Sequence, residues 1–154
     1  MSTIFAKIIN KEIPAHIIYE DEYFISFLDI NPLTIGHSLV VPKIEVDYIF
    51  DLDKEYLNKV LIFSKKIASA IEKSTNCSRV GLKVVGLEVP HAHVHLIPFK
   101  NEKEMDFINK RLKLDESTFT SLLKKIRENL YIIFSGFACM NFFHDFLGLS
   151  LLDF

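Results

Sequence analysis

Cysteine, glycine and proline are scarce: 2, 5 and 5 residues respectively in a chain of 154. Cys77 and Cys139 lie in unrelated contexts with no CxxC pair, which excludes a zinc knuckle and a disulfide framework and fits a reducing, cytoplasmic setting. The shortage of glycine and proline leaves no low-complexity linker, and no repeat is visible, so one compact domain is expected. Charge of one sign is also missing. The 18 basic and 20 acidic residues are interspersed and sum to −2, which gives no electrostatic footprint for a nucleic acid polymer or an anionic membrane. The first residues run straight into Lys11 and Glu12, without the apolar block and small-residue cleavage site of a secretion signal.

What is present is apolar sequence, 49% of the chain, cut into short periodic pieces. Tyr23–Leu28 and Ser38–Val41 read as two strands separated by the turn residues Asp29-Ile30-Asn31-Pro32 and Gly36. From Lys54 to Lys73, apolar residues at i, i+3, i+4, i+7 predict a helix, with Asp51 and Asp53 before its first turn as caps. Val80–Val85 and Val89–Pro98 predict two more strands, with Pro90 starting the second at an edge or bulge. The charged segment Glu104–Asn129, carrying Phe107, Leu112, Phe119, Leu122 and Ile126, predicts one short and one longer helix, the latter capped near Asp115 or Ser117. Strands, a helix between them and helices last make an α+β class, expected to hold an antiparallel sheet of about five strands.

Residues 130–154 differ in kind and are expected to form an apolar C-terminal extension to a domain of residues 1–129. Asn141, His144 and Asp145 interrupt this stretch, so it is not a clean membrane span. Packing on the body or on a second subunit is favoured over membrane contact.

His91-Ala92-His93-Val94-His95 carries the chemistry. Alternate residues of a strand share a face, so three imidazoles converge there while Ala92, Val94 and Leu96 turn into the core. Three neighbouring rings divide the roles of nucleophile, orienter and proton donor, because each proton taken up makes the next uptake harder. That suits phosphoryl or nucleotidyl transfer through a covalent histidine intermediate. The same three rings also match the ligands of a catalytic zinc site. The one acid near in sequence, Glu88, is at an odd offset on the opposite strand face, which weighs against a metal that needs carboxylate support.

The run His91–Ile97 resembles the signature of the histidine-triad family: His, any residue, His, any residue, His, two apolar residues. Ile4-Phe5-Ala6-Lys7-Ile8-Ile9, Lys11-Glu12-Ile13-Pro14-Ala15, Tyr19-Glu20-Asp21, Phe27-Leu28-Asp29-Ile30-Asn31-Pro32 and Gly36-His37-Ser38-Leu39-Val40-Val41-Pro42-Lys43 agree with it in order and spacing. The resemblance implies a purine nucleotide conjugate as substrate, a homodimer joining two sheets, and neither cofactor nor metal in the covalent step. It implies that His93 attacks the α-phosphate of a nucleoside phosphoramidate or dinucleoside polyphosphate, that His91 orients and polarises His93, and that His95 contacts the phosphate and helps the leaving group depart. His37 would support the triad, Asp29 would hold the ribose hydroxyls, and Phe5, Ile18, Ile30 and Val89 would flank the base. Without the resemblance, His37 reads as an exposed strand-end ring and Asp29 as a turn former. Two departures stand out. Thr3 and Ala6 replace the cysteines of an N-terminal zinc site, so no structural zinc is expected. Gly86-Leu87-Glu88-Val89 lacks the side-chain phosphate contacts of many relatives, which leaves the substrate open and keeps a zinc-dependent hydrolase and a nucleotide-binding scaffold as rival readings.

Overall fold

The computed structural model describes residues 2–146, and of residues 134–146 the helical backbone alone. A short helix opens the fold, α1 (Ile4–Ile9), with Thr3 as N-cap accepting the Ala6 N–H. Strands β1 (Ile17–Glu20), β2 (Phe24–Leu28) and β3 (Ser38–Pro42) follow, then α2 (Lys54–Ser74), β4 (Arg79–Val84), β5 (Val94–Phe99) and α3 (Glu116–Phe146). The strands form one antiparallel sheet in the order β1-β2-β3-β5-β4. The α+β class and five strands are as expected from sequence; β1 and α1 are elements that the apolar pattern did not single out.

Asp53 caps α2, its carboxylate accepting the Tyr56 N–H at 2.9 Å, and α2 runs one residue beyond the predicted end. Asp115 caps α3 in the same way through the Thr118 N–H at 2.7 Å. The predicted short helix after Glu104 is instead a 3-10 turn, Glu102–Met105, followed by an irregular segment. Helix α3 continues unbroken through Asn129 and Leu130, so the expected boundary there falls inside one helix, with Leu130 buried in the core. Residues 147–154 lie outside the described residues, and among those described no helix is long and apolar enough to cross a membrane.

The two faces of the sheet are covered differently. Phe24, Leu28, Val40, Val94 and Leu96 point to α2 and α3, where Val60, Phe63, Ile67, Ile71, Phe119, Ile126 and Leu130 meet them in the main core. Ile25, Phe27, Leu39 and Val41 point the other way, toward Phe5 and Ile8 of α1 in a smaller cluster. Strand alternation produces this division: neighbouring residues of β2 and β3 serve opposite faces. The exception is β1, where the register shifts between Ile17 and Tyr19. Ile17 belongs with the α1 side, while the neighbours Ile18 and Tyr19 both pack on the α2/α3 side.

Candidate active site

All three histidines of the run face the α1 side, but only His95 belongs to a strand. β5 begins at Val94, an interior strand between β3 and β4, so the expected strand from Val89 with Pro90 at an edge is corrected. The cause is the main chain: His91 N–H turns back to Val89 O at 2.8 Å and Ala92 N–H goes to Val46 O at 2.6 Å, removing both from the ladder. Alternation survives nonetheless, since Ala92 packs in the main core while Phe5 sits edge-on to the His93 ring at 5.0 Å between centroids.

Fixed main-chain donors and acceptors set the proton on every ring. A carbonyl can only accept, so His93 Nδ1, 2.6 Å from His91 O, carries hydrogen and leaves the lone pair on Nε2. His91 Nε2–H likewise donates to Pro42 O at 2.9 Å, so its Nδ1 accepts from Thr3 Oγ1–H at 2.9 Å. The Thr3 oxygen in turn accepts the Ala6 N–H at 3.0 Å, which ties α1 to the first histidine. On the other side, the Leu33 N–H donates to His37 Nδ1 at 3.1 Å, which puts the His37 hydrogen on Nε2 and directs it to His95 Nδ1 at 3.0 Å. His95 therefore holds its own hydrogen on Nε2. The outcome, among the described residues, is a ring with a free basic nitrogen beside a ring with a free N–H, His93 and His95 being 4.8 Å apart between centroids.

Burial lowers the proton affinity of three of these rings. It pushes His37 down to about 4, partly opposed by the negative charge of Asp29, and His95 down to about 3, where neighbouring positive charge adds to it. His93 is lowered as well, by burial first, against the stabilising bond from His91 O. His37 and His91 are wholly buried, so the reading of His37 as an exposed strand-end ring does not hold.

Asp29 does two things. Its Oδ1 accepts the Asn31 N–H at 2.8 Å, closing the turn, while Oδ2 faces His37 Nδ1 at 3.6 Å. Phe5 lies against His91, His93 and Phe27, Val89 packs on the same cluster, and Ile30 stands on the surface next to Asp29. Ile18 is a correction: the β1 register shift sends it into the core on the far face, and Ile17 occupies the near one. The hydrogen bond between His91 and His93 runs through the His91 carbonyl, which holds the His93 ring at Nδ1. The sequence did not point to Thr3 as the His91 partner, and Phe107, expected within a short helix, instead stands edge-on to His95 at 4.8 Å.

Two sets of donors are the candidates for a metal. Thr3 and Ala6 offer no thiolate, and the Thr3 hydroxyl is committed to Ala6 and His91. The donors of Asp29, His37 and His95 lie within 4.8 Å of one another, but both nitrogens of His37 are engaged by Leu33 and His95. Neither set suits zinc as it stands.

The chain is 38% identical over 135 residues to an uncharacterized HIT-like protein of Borreliella burgdorferi, spanning 82% of this chain and 97% of that one. It is 39% identical over 101 residues to an adenosine 5′-monophosphoramidase of Saccharomyces cerevisiae, spanning 65% of this chain and 64% of the yeast protein. The crystal structure of a zinc-bound histidine triad family protein from Mycobacterium smegmatis superimposes with a TM-score of 0.76 at 29% identity, over 88% of this chain and 98% of its own. Residues 10–102 match the HIT domain family, more than half of the chain and all three histidines among them, and the chain belongs to that histidine-triad family.

Proposed function

We propose that this chain hydrolyses purine nucleoside phosphoramidates or related nucleotide conjugates through a nucleotidyl-histidine intermediate. The observation that carries the reading is the hydrogen bond from His93 Nδ1 to His91 O, which leaves the Nε2 lone pair next to the free Nε2–H of His95. Nε2 of His93 attacks the α-phosphorus and forms a P–N bond to the ring. The bond to the leaving nitrogen breaks and its electron pair departs with the amine, which takes its proton from solvent at mildly acidic pH. The His95 N–H stabilises charge at the phosphate oxygens and the departing atom. Water then attacks the phosphorus, the pair returns to His93, a proton goes to solvent, and a nucleoside monophosphate is released. Asp29 holds the ribose hydroxyls through carboxylate lone pairs left over from its turn, and Phe5 and Val89 border the base.

The low proton affinity of His93 favours this chemistry, because the ring stays neutral and nucleophilic below the ordinary histidine range. Incubation with adenosine phosphoramidate at mildly acidic pH, followed by intact-mass measurement, is expected to show an adenylyl adduct on the wild type and none on His93→Ala. No adduct, with turnover unaffected by that substitution, overturns the mechanism.

We also propose that two copies pair through β4. It is an edge strand, it exposes Leu82 and Val84, and α2 exposes Leu61 and Ile62. Light scattering is expected to give a dimer that Val84→Lys dissociates; a monomeric wild type refutes the pairing.

A further inference from the structure

The segment between β5 and α3 is held across the histidine face rather than away from it. Met105 lies on Gly81 of β4, where a side chain would collide with it, and the Leu112 N–H donates to Pro32 O at 2.8 Å in the loop that carries Asp29. Between these two anchors, Phe107 stands 4.8 Å from His95 and 6.4 Å from His37 between ring centroids. Two cations lie over that phenyl ring, Lys83 Nζ at 4.5 Å and Arg111 Cζ at 4.8 Å from its centre. Lys83 is the register partner of His95 across β4 and β5, so the two side chains share a face.

Neither cation has a carboxylate partner among the described residues. Lys83 donates to the Met105 carbonyl at 3.3 Å and lies over the ring. Arg111 Nη1 is buried with no hydrogen-bond partner among the described residues. Buried guanidinium nitrogens are ordinarily paired, since their desolvation is costly, and an anion that reaches this one recovers that cost. Negative charge is also close by: Glu88 and Asp29 act on His93, and an Asp29 oxygen lies within 4.8 Å of a His95 ring nitrogen. Burial first, and then positive charge that includes Arg111 and Lys83, lowers the proton affinity of His95, in keeping with cations close to that ring.

We propose that Arg111 and Lys83 form a subsite for an anionic group on the departing half of the substrate. The chain is then selective for nucleotide conjugates whose leaving group carries negative charge, a carboxylate or a phosphate. This rests on the hydrolase reading above, in which His95 is the donor nearest the leaving atom and Phe107 carries the cations against it. Planar Arg111 reads such a group in a fork, and Lys83 adds a point charge.

Matched adenosine phosphoramidates of glycine and glycine methyl ester differ in leaving-group charge, and those of phosphoethanolamine and ethanolamine offer a phosphate in place of the carboxylate. The wild type is expected to prefer the charged member of one or both pairs by about tenfold in kcat/KM, the size of one charge-assisted contact. A preference within only one pair identifies carboxylate or phosphate as the group bound. Arg111→Gln is expected to bring the ratio to near one and Arg111→Lys to restore part of it. Lys83→Met, at a position outside the loop, gives an independent reduction should the Arg111 variants not fold. Equal turnover of both members of both pairs by the wild type, or an equal loss on charged and neutral members in Arg111→Gln, overturns the subsite and leaves the hydrolase reading standing. Failure to hydrolyse any of the four, with no adduct on His93, overturns the hydrolase reading itself.

Discussion

The two faces of the sheet bury side chains to similar depth by different physics. Toward α2 and α3 the residues are hydrocarbon: Ile67, Ile71, Val40 and Ile126 are completely or almost completely buried and need only fit one another. Toward α1, His37, His91, His93 and His95 are nearly as buried, yet each ring is oriented by a main-chain group or by a neighbour that a main-chain group has already oriented. The first face is specified by volume and the second by hydrogen positions. Mutations should therefore separate them, stability answering on one side and activity on the other.

The sharpest contrast comes from His93→Ala. Loss of the nucleophile is expected to lower kcat by about 10⁴-fold, while the chain still unfolds in one cooperative transition. Matching collapse of stability would show that the two faces are not separable. On the hydrocarbon side, Ile67→Ala is expected to cost about 3–4 kcal/mol in denaturant unfolding and to leave kcat/KM of the folded protein nearly unchanged. A large kinetic effect there would break the comparison from the other direction.

Acid probes the histidine face selectively. The native proton affinities of His37, at about 4, and His95, at about 3, lie below the ordinary 6.5 of an unfolded chain. The unfolded state thus binds more protons as pH falls, so the contribution of these rings is intact above about 6.5 and is lost progressively toward 4. Each ring contributes a slope of up to about 1.4 kcal/mol per pH unit in that window. Unfolding midpoints measured from pH 7 to 4 are expected to fall, and His37→Gln to flatten the fall; a flat wild-type profile contradicts the neutral assignment. The smallest effect is expected from Thr3→Val, which removes an N-cap and the hydroxyl on His91. A loss of about 1 kcal/mol, read by thermal unfolding, accompanies a measurable drop in kcat if α1 steadies the triad.

The hydrocarbon face was the more legible of the two. The periodicity of Leu57, Val60, Ile67 and Ile71 with Asp53 ahead of it announces α2, and the alternation in β2 and β3 announces which residues face it. The triad was legible as a motif, and its common face follows from alternation alone. Its hydrogen pattern was not, because Pro42 O, Leu33 N–H and Thr3 Oγ1 reach the rings over long sequence distances or through irregular turns that no period encodes. Ile18 went to the wrong face because a one-residue register shift in a four-residue strand reverses parity. Phe107 and Leu112 read as part of a helix-like segment, whereas anchors at Gly81 and Pro32 draw that segment across the sheet.

The bond from Thr3 to His91 has a practical side. A purification tag fused ahead of Thr3 hangs its weight on the residue that caps α1 and steadies the first histidine. Rates measured on such a fusion report on how well the tag tolerates that joint, and tagged and untagged preparations compared side by side calibrate every kinetic number taken from this protein.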